Sequence, residues 1–454
     1  MKKHVFITSS VFLIAVFVAG MILVGCGALG TSASAETSSD SSSGESSVTE
    51  LSQAYENGII DTEDLFTKRD LAQTAVLSDA VYYKLSDNED ISITDAGVYV
   101  VSGTASEATI LVDAPDDAKV QIVLDGVSIT NADFPCIYVR TADKVFITVS
   151  TDSVLAVTGS FVSDGTVKTD GVIFSRSDLV LNGTASLSVD SSKHGIVCKD
   201  DLKITGGTYV INAVSHGIEA NDSVRIADGT LTVKAGKDAI HSENDEDDTL
   251  GYVYIGGGTF RINAGDDGIH AISCIQIDDG SLEISAAEGI EATRVQINGG
   301  TVNITASDDG INAARKSSSL SPFVEINGGD ITITMGAGDT DGVDSNGDIT
   351  INGGTVSVTG MSSFDYDGTG VINGGTVTCN GEQVTTLPNQ QFGGMGWGGF
   401  PGGGWGGHGG PGDGRPDEGG EPPEGCFPGN PPEGDFPGGF PGNGWSGGDN
   451  GGSI

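Results

Sequence analysis

The sequence predicts an all-β protein whose central part is a right-handed parallel β-helix. The first observation is a recurring phrase in which one or two polar residues precede a Gly, an Ile, a polar residue and a small residue, as in residues 265–271. The second is its spacing, because the Gly recurs at Gly268, Gly289 and Gly310. A unit that repeats at a fixed period of about 20–50 residues is typical of a solenoid. We call the Gly and Ile of this phrase the marker Gly and the marker Ile, and we expect the Gly to form a tight corner and the Ile to point into the core.

Each repeat contains three short β-rich runs, which predict three strands per turn of the coil. In the repeat of Gly289 these runs are residues 289–292, 295–297 and 301–304. The runs alternate apolar and polar residues, Gly-rich turns separate them, and the repeats lack the spacing of amphipathic helices. Such rungs, of about 21–24 residues, stack about 4.8 Å apart. The usual preference for right-handed crossovers sets the hand of the coil.

Composition divides the chain into five parts. They are a lipoprotein signal peptide (1–26), a Ser-rich tether (27–50), a lead-in segment with one short helix that caps the start of the coil (51–90), the β-helix (91–387) and a disordered tail (388–454). The tail is rich in Gly and Pro and contains all three Trp. Gly and Pro leave too little side chain to offset the entropy of ordering, so we expect the tail to lack a core.

The N-terminus predicts export. Basic residues at positions 2–4 precede an apolar stretch, which ends in Leu23-Val24-Gly25-Cys26. This tetrapeptide resembles a bacterial lipobox, in which the Cys is lipidated and becomes the first residue. An uncleaved anchor is the alternative, because about 20 apolar residues can span a bilayer. Either way the rest of the chain lies outside the cell, and the favoured reading is a lipoprotein that touches the membrane only through Cys26.

The net charge narrows the choice of partners. It is formally −42, with 63 acidic and 21 basic residues. So acidic a chain is repelled by nucleic acids and by anionic membrane surfaces, which excludes both as direct partners. It suits a solvated extracellular surface or one that binds cations. We expect a monomer.

Acidic residues recur just before the marker Gly and two residues after it. In a parallel stack they lie above one another, and carboxylates about 5 Å apart repel unless a cation lies between them. Calcium accepts six to eight oxygen ligands from carboxylates, amides and carbonyls. The predicted calcium ligands form a main cluster of Asp308, Asp309, Asn312, Asp339, Asp341, Asp344, Asp365 and Asp367, and a second cluster of Asp238, Asp266 and Asp267 beside the acidic insertion at 243–248. The alternative is that Asp before Gly simply suits a turn.

Two other polar sets are assigned structural roles. The histidines of the repeats, His194, His216, His241 and His270, fall on two different ladders and predict no tight three-ligand zinc site. Asn residues recur in the Ile-Asn-Gly-Gly turns. Stacked Asn side chains bond to one another from rung to rung, and we expect such a ladder at Asn298, Asn327, Asn352 and Asn373.

Several phrases carry a resemblance to a known family. Residues Ala96–Thr104, Ala118–Thr130, Lys199–Thr208 and Leu250–Ile255 resemble the clostridial carbohydrate-binding β-helix proteins, and the likeness extends over residues 66–389. It implies a right-handed parallel β-helix, bound calcium and binding of plant cell-wall polymers, namely cellulose and polygalacturonate. It also implies a structural likeness to calcium-dependent pectate lyases.

Three functions remain open at this stage. The first is a non-catalytic binding module in which calcium bridges protein carboxylates to a uronate polymer, with Tyr252, Tyr254 and Tyr366 as stacking residues, since the repeats contain no Trp. The second is a calcium-dependent lyase that cleaves polygalacturonate by β-elimination, with Lys237 or Arg315 as the base. The third is a structural adhesin.

Overall fold

The computed structural model describes residues 59–337 and 340–389. The signal peptide with Cys26, the tether, the first residues of the lead-in segment and the tail from residue 390 lie outside this range. All regular elements of the described residues are β-strands, so the short helix expected in the lead-in segment is not found there. No helix long and apolar enough to cross a membrane occurs in the described part.

The described chain forms a parallel β-helix with three faces, as predicted. The marker phrases form the first of these, which we call the marker face. Its twelve strands are Ile91–Ile93, Ile110–Asp113, Ile137–Thr141, Gly171–Ser175, His194–Cys198, Ile218–Ala220, Ile240–Ser242, Asp267–Ala271, Glu288–Ala292, Ile311–Ala313, Asp341–Ser345 and Ser362–Tyr366.

The second face lies under the lead-in segment, and we call it the covered face. Its strands are Val81–Lys84, Gly97–Ser106, Lys119–Asn131, Lys144–Thr151, Asp178–Gly183, Asp201–Ile204, Ser223–Ile226, Tyr252–Ile255, Cys274–Ile277, Arg294–Ile297, Phe323–Ile326, Asp348–Ile351 and Gly370–Ile372. Because Val81–Lys84 pairs in parallel with Gly97–Ser106, the β-helix begins ten residues before the predicted boundary at 91.

We call the third face the open face. Its strands are Ser153–Val157, Ser186–Ser191, Thr208–Ala213, Thr230–Ala235, Thr259–Ala264, Ser281–Ala286, Thr301–Ala306, Asp330–Met335, Thr355–Thr359 and Thr376–Cys379, and Glu382–Val384 closes it as an antiparallel strand. The long strand Lys119–Asn131 pairs with Lys144–Thr151 of the covered face and with Ser153–Val157 of the open face, and so joins the two faces into one 24-stranded sheet.

The interior is filled by stacked aliphatic side chains. The marker Ile residues point inward and are fully buried, as predicted, at Ile196, Ile218, Ile240, Ile269, Ile290 and Ile311. Each strand of the open face alternates buried and exposed residues, for example Thr301–Ala306. Burying apolar area contributes roughly 25 cal/mol per Å², so this continuous core is the main source of stability.

The marker Gly has a different role from the expected tight corner. Gly289 is absent from the left-handed region of backbone space, where Gly300 lies with φ of 84°. A Cβ atom on Gly289 would lie 2.3 Å from the carbonyl oxygen of Gly310 on the next rung. The marker position is therefore Gly because successive rungs approach closely, whereas the second Gly of each Gly-Gly turn supplies the positive φ.

The predicted asparagine ladder is confirmed. The side-chain amide of Asn327 donates to Asn298, that of Asn352 to Asn327 and that of Asn373 to Asn352, each over 2.8 Å. Asn298 itself donates to Asp278 over 2.7 Å. These bonds tie the turns of consecutive rungs together.

The described part of the lead-in segment does not cap the start of the coil but lies along the covered face. The backbone N–H of Ile60 donates to Gln276, 216 residues away, and the amide of Gln73 donates to the Thr205 carbonyl. Leu65 is buried with Tyr254 in a small apolar cluster that is separate from the main core. The segment therefore covers the outer side of many rungs and protects apolar and polar groups that the coil alone would expose.

Two repeats carry long insertions, at residues 243–248 and 315–322. The two insertions meet on one side of the solenoid, as their positions in the repeats predict. The Asp248 carboxylate accepts hydrogen bonds from the N–H and hydroxyl of Ser318 at 2.6 and 2.7 Å and from the Ser319 hydroxyl at 2.6 Å. Burial is minimal, and these bonds hold the pKa of Asp248 well below its usual range. One of the carboxylates in the acidic insertion thus joins two loops.

Candidate functional site

The two acidic positions of the marker phrase converge on the outer side of the marker face. The second position runs through register partners on successive rungs: Glu219, His241, His270, Glu291, Asn312, Asp344 and Asp365. Residues of the first position reach across to it, because Asp238 lies 2.7 Å from His241 and Asp267 lies 2.8 Å from His270. The two positions therefore form one continuous band of polar side chains, which we call the marker-face ladder.

The four histidines stack in this ladder, so the expectation that they fall on separate ladders is wrong. The ring centroids of His194 and His216 are 5.1 Å apart, those of His216 and His241 4.6 Å, and those of His241 and His270 4.8 Å. The residue before the marker position and the residue two places after it lie beside each other, as the contacts of Asp238 with His241 and of Asp267 with His270 show. His194 and His216 stand before the Gly, and His241 and His270 stand after it.

Potential ligand atoms come close together at the histidine end. Among the described residues, sets of three that lie within 4.8 Å of one another occur only from His194 to Glu291. The sets are His194, His216 and Glu219; His216, Asp238 and His241; Asp238, Asp267 and His270; and Asp267, Glu288 and Glu291. The sequence analysis missed these sets, although the recurrence of a His or an acid three residues apart on successive rungs signals them.

The carboxylates of the second predicted calcium cluster are mostly paired with histidines. His270 contacts both Asp267 at 2.8 Å and Glu291 at 3.0 Å. Burial opposes the charged ring, but these two bonds raise the pKa of His270 to about 10. Asp238 is buried between His216 and His241, and despite its burial the hydrogen bond with His241 and the close His216 ring hold its pKa well below the usual range. Asp266 has an exposed side chain.

Three acids beyond His270, namely Glu288, Asp309 and Asp344, have no cationic partner among the described residues. Burial, followed by repulsion from Glu291, raises the pKa of Glu288 to about 8. Burial, together with Asp344 and Asp341, raises the pKa of Asp309 to about 7, against a backbone hydrogen bond that lowers it. Burial and the neighbouring Asp365 raise the pKa of Asp344 to about 6. At neutral pH this end of the ladder therefore favours a proton or a cation.

Asn312 lies at the start of this acidic end. Its side chain is 8% exposed, and its Nδ2 donates to Glu288 on the preceding rung over 3.0 Å. Its buried Oδ1 has no hydrogen-bond partner among the described residues. Because the two atoms of an amide point apart, this oxygen is directed away from Glu288.

The structure brings together part of the predicted main cluster. Asp309, Asp341, Asp344 and Asp365 are half-buried and close enough to shift one another's pKa. Asp308 and Asp367 are exposed at its rim. Asp339 lies outside the described residues. No three carboxylates of this cluster lie within 4.8 Å among the described residues.

Known proteins were compared with this chain. Residues 87–342 and 288–385 match the sequence model of a family described as carbohydrate-binding domain-containing protein. The chain belongs to this family. The resemblance to clostridial carbohydrate-binding proteins is thereby confirmed.

One relative and one solved structure are similar to this carbohydrate-binding domain protein. A carbohydrate-binding domain-containing protein of Acetivibrio thermocellus is 35% identical over 159 residues, which are 34% of this chain and 56% of the relative. The chain thus spans about half the length of that relative. The structure of a polysaccharide lyase-like protein from C. thermocellum, a gadolinium derivative, is 32% identical and covers 45% of this chain and 90% of its own, with a TM-score of 0.43.

The tyrosines expected to stack on sugars are placed otherwise in this carbohydrate-binding domain. Tyr254 is 8% exposed, packs beside Phe66 of the lead-in segment and donates to Asp278 over 2.9 Å. Tyr252 is half-buried in the same cluster. Tyr366 packs against the main core and donates to the Leu387 carbonyl. None of the three presents a free aromatic face on the marker-face ladder.

The bases expected for a lyase are also away from the acids. The side chains of Lys237 and Arg315 are exposed, and no ion pair joins either to the carboxylates among the described residues. Lys316 is the cation that reaches the acidic end of the ladder, with its ammonium 2.7 Å from Glu291. Burial alone would lower its pKa, but Glu291 raises it, which keeps Lys316 protonated and unsuited to act as a base.

Proposed function

We propose that this carbohydrate-binding domain holds an acidic plant cell-wall polysaccharide, a uronate polymer, through bound calcium and without cleaving it. The observation that carries the proposal is the run of uncompensated carboxylates along one straight face, with raised pKa values at Glu288, Asp309 and Asp344. A parallel β-helix repeats these groups about every 4.8 Å. Such a row suits an extended polymer that carries a carboxylate on every sugar.

The donor set of the acidic end fits calcium. The potential ligands near Asn312 at this end, Glu288, Asp309 and Asp344, offer oxygen atoms, and the buried Oδ1 of Asn312 has no hydrogen-bond partner in the described residues. Calcium takes six to eight oxygens, including amide and backbone oxygens and water, so it does not require three carboxylates in contact. Asp309, Asn312 and Asp344 would hold the ion from the protein side.

Bound calcium explains how two polyanions can associate. A chain of net charge −42 repels a uronate polymer at close range. A divalent ion whose coordination shell is only partly filled by Asp309, Asn312 and Asp344 leaves positions for a sugar carboxylate. Binding is therefore expected to depend on calcium, whereas binding to neutral cellulose has no such requirement.

The absence of a suitable base in the described residues supports binding over cleavage. β-Elimination needs a neutral Lys or Arg beside the calcium-bound uronate. Lys316, the cation at the acidic end of the ladder, is held protonated by Glu291. We therefore assign no residue as the catalytic base of a lyase.

The test uses the purified full-length chain with polygalacturonate and cellulose, each in calcium and in chelator. We expect retention on polygalacturonate that is lost in chelator, with no rise in the ultraviolet absorbance of an unsaturated product. A rise in that absorbance would show a lyase and overturn the non-catalytic assignment. Equal retention in chelator would overturn the role of calcium.

We also propose that the domain is displayed on the outer surface of a bacterial cell through a lipid on Cys26. The lipobox-like end of the apolar stretch supports this proposal. Replacing Cys26 with Ala is expected to release the protein from the membrane fraction. The proposal fails if the variant stays with the membrane after a high-salt wash, because the apolar stretch would then be acting as an uncleaved anchor.

A further inference from the structure

The histidine end of the marker-face ladder contains nitrogen donors that the proposed calcium function does not use. His194 is 8% exposed, and His216 and Glu219 lie on the next rung with most of their side chains buried. The Nδ1 atom of His194 is 3.1 Å from Glu219 Oε2. The Nδ1 atom of His216 is 3.1 Å from Asp238. Both ring nitrogens are buried, yet neither makes a hydrogen bond to the described residues.

The other two histidines of the ladder differ in this respect. His241 Nδ1 is hydrogen-bonded to Asp238 over 2.7 Å, and His270 Nδ1 to Asp267 over 2.8 Å. The carboxylates that His241 and His270 contact balance the charges of these two rings. The His194 Nδ1 atom approaches Glu219 closely without making a hydrogen bond, and His216 is the third member of this set of neighbouring ligand atoms.

The distance between His194 and Glu219, and the atoms without a hydrogen-bond partner, fit the binding of one small cation. Two bonds of about 2.0–2.1 Å at a tetrahedral angle place ligand atoms roughly 3.4 Å apart, close to the observed 3.1 Å between His194 and Glu219. Lys199 donates to Glu219 Oε1 over 2.7 Å, which leaves Oε2 available. The nitrogen and oxygen ligand atoms of His194, His216 and Glu219 lie within 4.8 Å of one another.

We propose that His194, His216 and Glu219 bind a divalent transition-metal ion of the zinc type. Imidazole nitrogen favours such metals over calcium, which prefers oxygen. Three protein ligands leave a fourth position open to water or to an oxygen of a bound ligand. The site is several rungs from Asp309 and Asp344 and stands independently of the proposed calcium function.

The test measures Zn²⁺ binding to the untagged full-length chain, stripped with chelator and assayed by calorimetry in excess Ca²⁺. We expect one Zn²⁺ bound per chain in the presence of that calcium. Variants H216N and E219Q are expected to weaken binding at least about tenfold, since even outer-shell changes cost that much. The matched control H270N removes a histidine of the same ladder that is fully paired, and we expect it to change the affinity less than about threefold.

A second measurement does not depend on the variants folding. The zinc absorption edge of the loaded wild-type chain is expected to show two imidazole nitrogens at about 2.0–2.1 Å. A spectrum with oxygen ligands alone would overturn the proposal. So would displacement of Zn²⁺ by calcium, or an H270N variant that loses binding as fully as H216N.

Discussion

Replacing both Asp309 and Asp344 with Asn is expected to stabilise the calcium-free protein and to remove most of the stabilisation that calcium gives to the wild-type chain. Both carboxylates are half-buried with raised pKa values, so their charges oppose folding when no cation is bound. A ligand at a hundred times its Kd stabilises the folded state by about 2.7 kcal/mol. Thermal unfolding with and without calcium measures both effects.

The matched control replaces Asp308 and Asp266 with Asn. These two carboxylates are exposed and lie one residue from the ladder, so the control makes the same change of net charge. We expect it to leave the calcium-induced shift of the melting temperature nearly unchanged. If control and ladder variants lost that shift equally, calcium would be responding to overall charge and Asp309 and Asp344 would not be its ligands.

The calcium-free stability of the wild-type chain is expected to depend on pH through Asp309 and Asp344. Folding raises the pKa of Asp309 to about 7 and that of Asp344 to about 6, from an unfolded value of about 3.9. The folded state thus binds more protons between about pH 4 and 7, so the contribution of these two residues to calcium-free stability is greatest below about pH 4 and is lost as the pH rises to about 7. The double Asn variant should show a smaller fall over that interval.

Features that repeat with the period of the coil could be predicted from sequence. The inward marker Ile residues and the Asn298–Asn373 ladder follow directly, because equivalent positions in a parallel stack must lie above one another. The histidine ladder could not be obtained by that argument alone. It depends on the two positions that flank the marker residues lying side by side, which brings His216 and His241 of different repeat positions together.

The path of the lead-in segment could not be predicted from local sequence patterns. Its backbone bonds at Ile59 and Ile60 join residues 237 and 216 positions away. Polar residues such as Gln276 and Gln296 stand on outward positions of the covered face, where exposure to water is the ordinary expectation. Only the packing of the segment shows that both are buried.

Replacing Asp70 with Asn is expected to loosen the lead-in segment from the covered face. Asp70 is fully buried, accepts the N–H of Thr67 at 2.9 Å, and lies 3.3 Å from the Lys203 ammonium and 4.0 Å from that of Lys144. Removing one partner of a buried ion pair typically costs about 3–5 kcal/mol, because the other charge is left uncompensated. Limited proteolysis should then cut residues 59–77 faster.

The controls separate loss of charge from loss of contact. Asp64→Asn changes an exposed carboxylate of the same segment and should leave the cleavage rate unchanged. Adding Lys203→Met to Asp70→Asn removes the buried charge left behind and should restore part of the protection. If Asp70→Asn resisted protease as well as the wild-type chain, apolar packing around Leu65 and Tyr254 would suffice to hold the segment. The buried ion pair would then add specificity of position without adding stability.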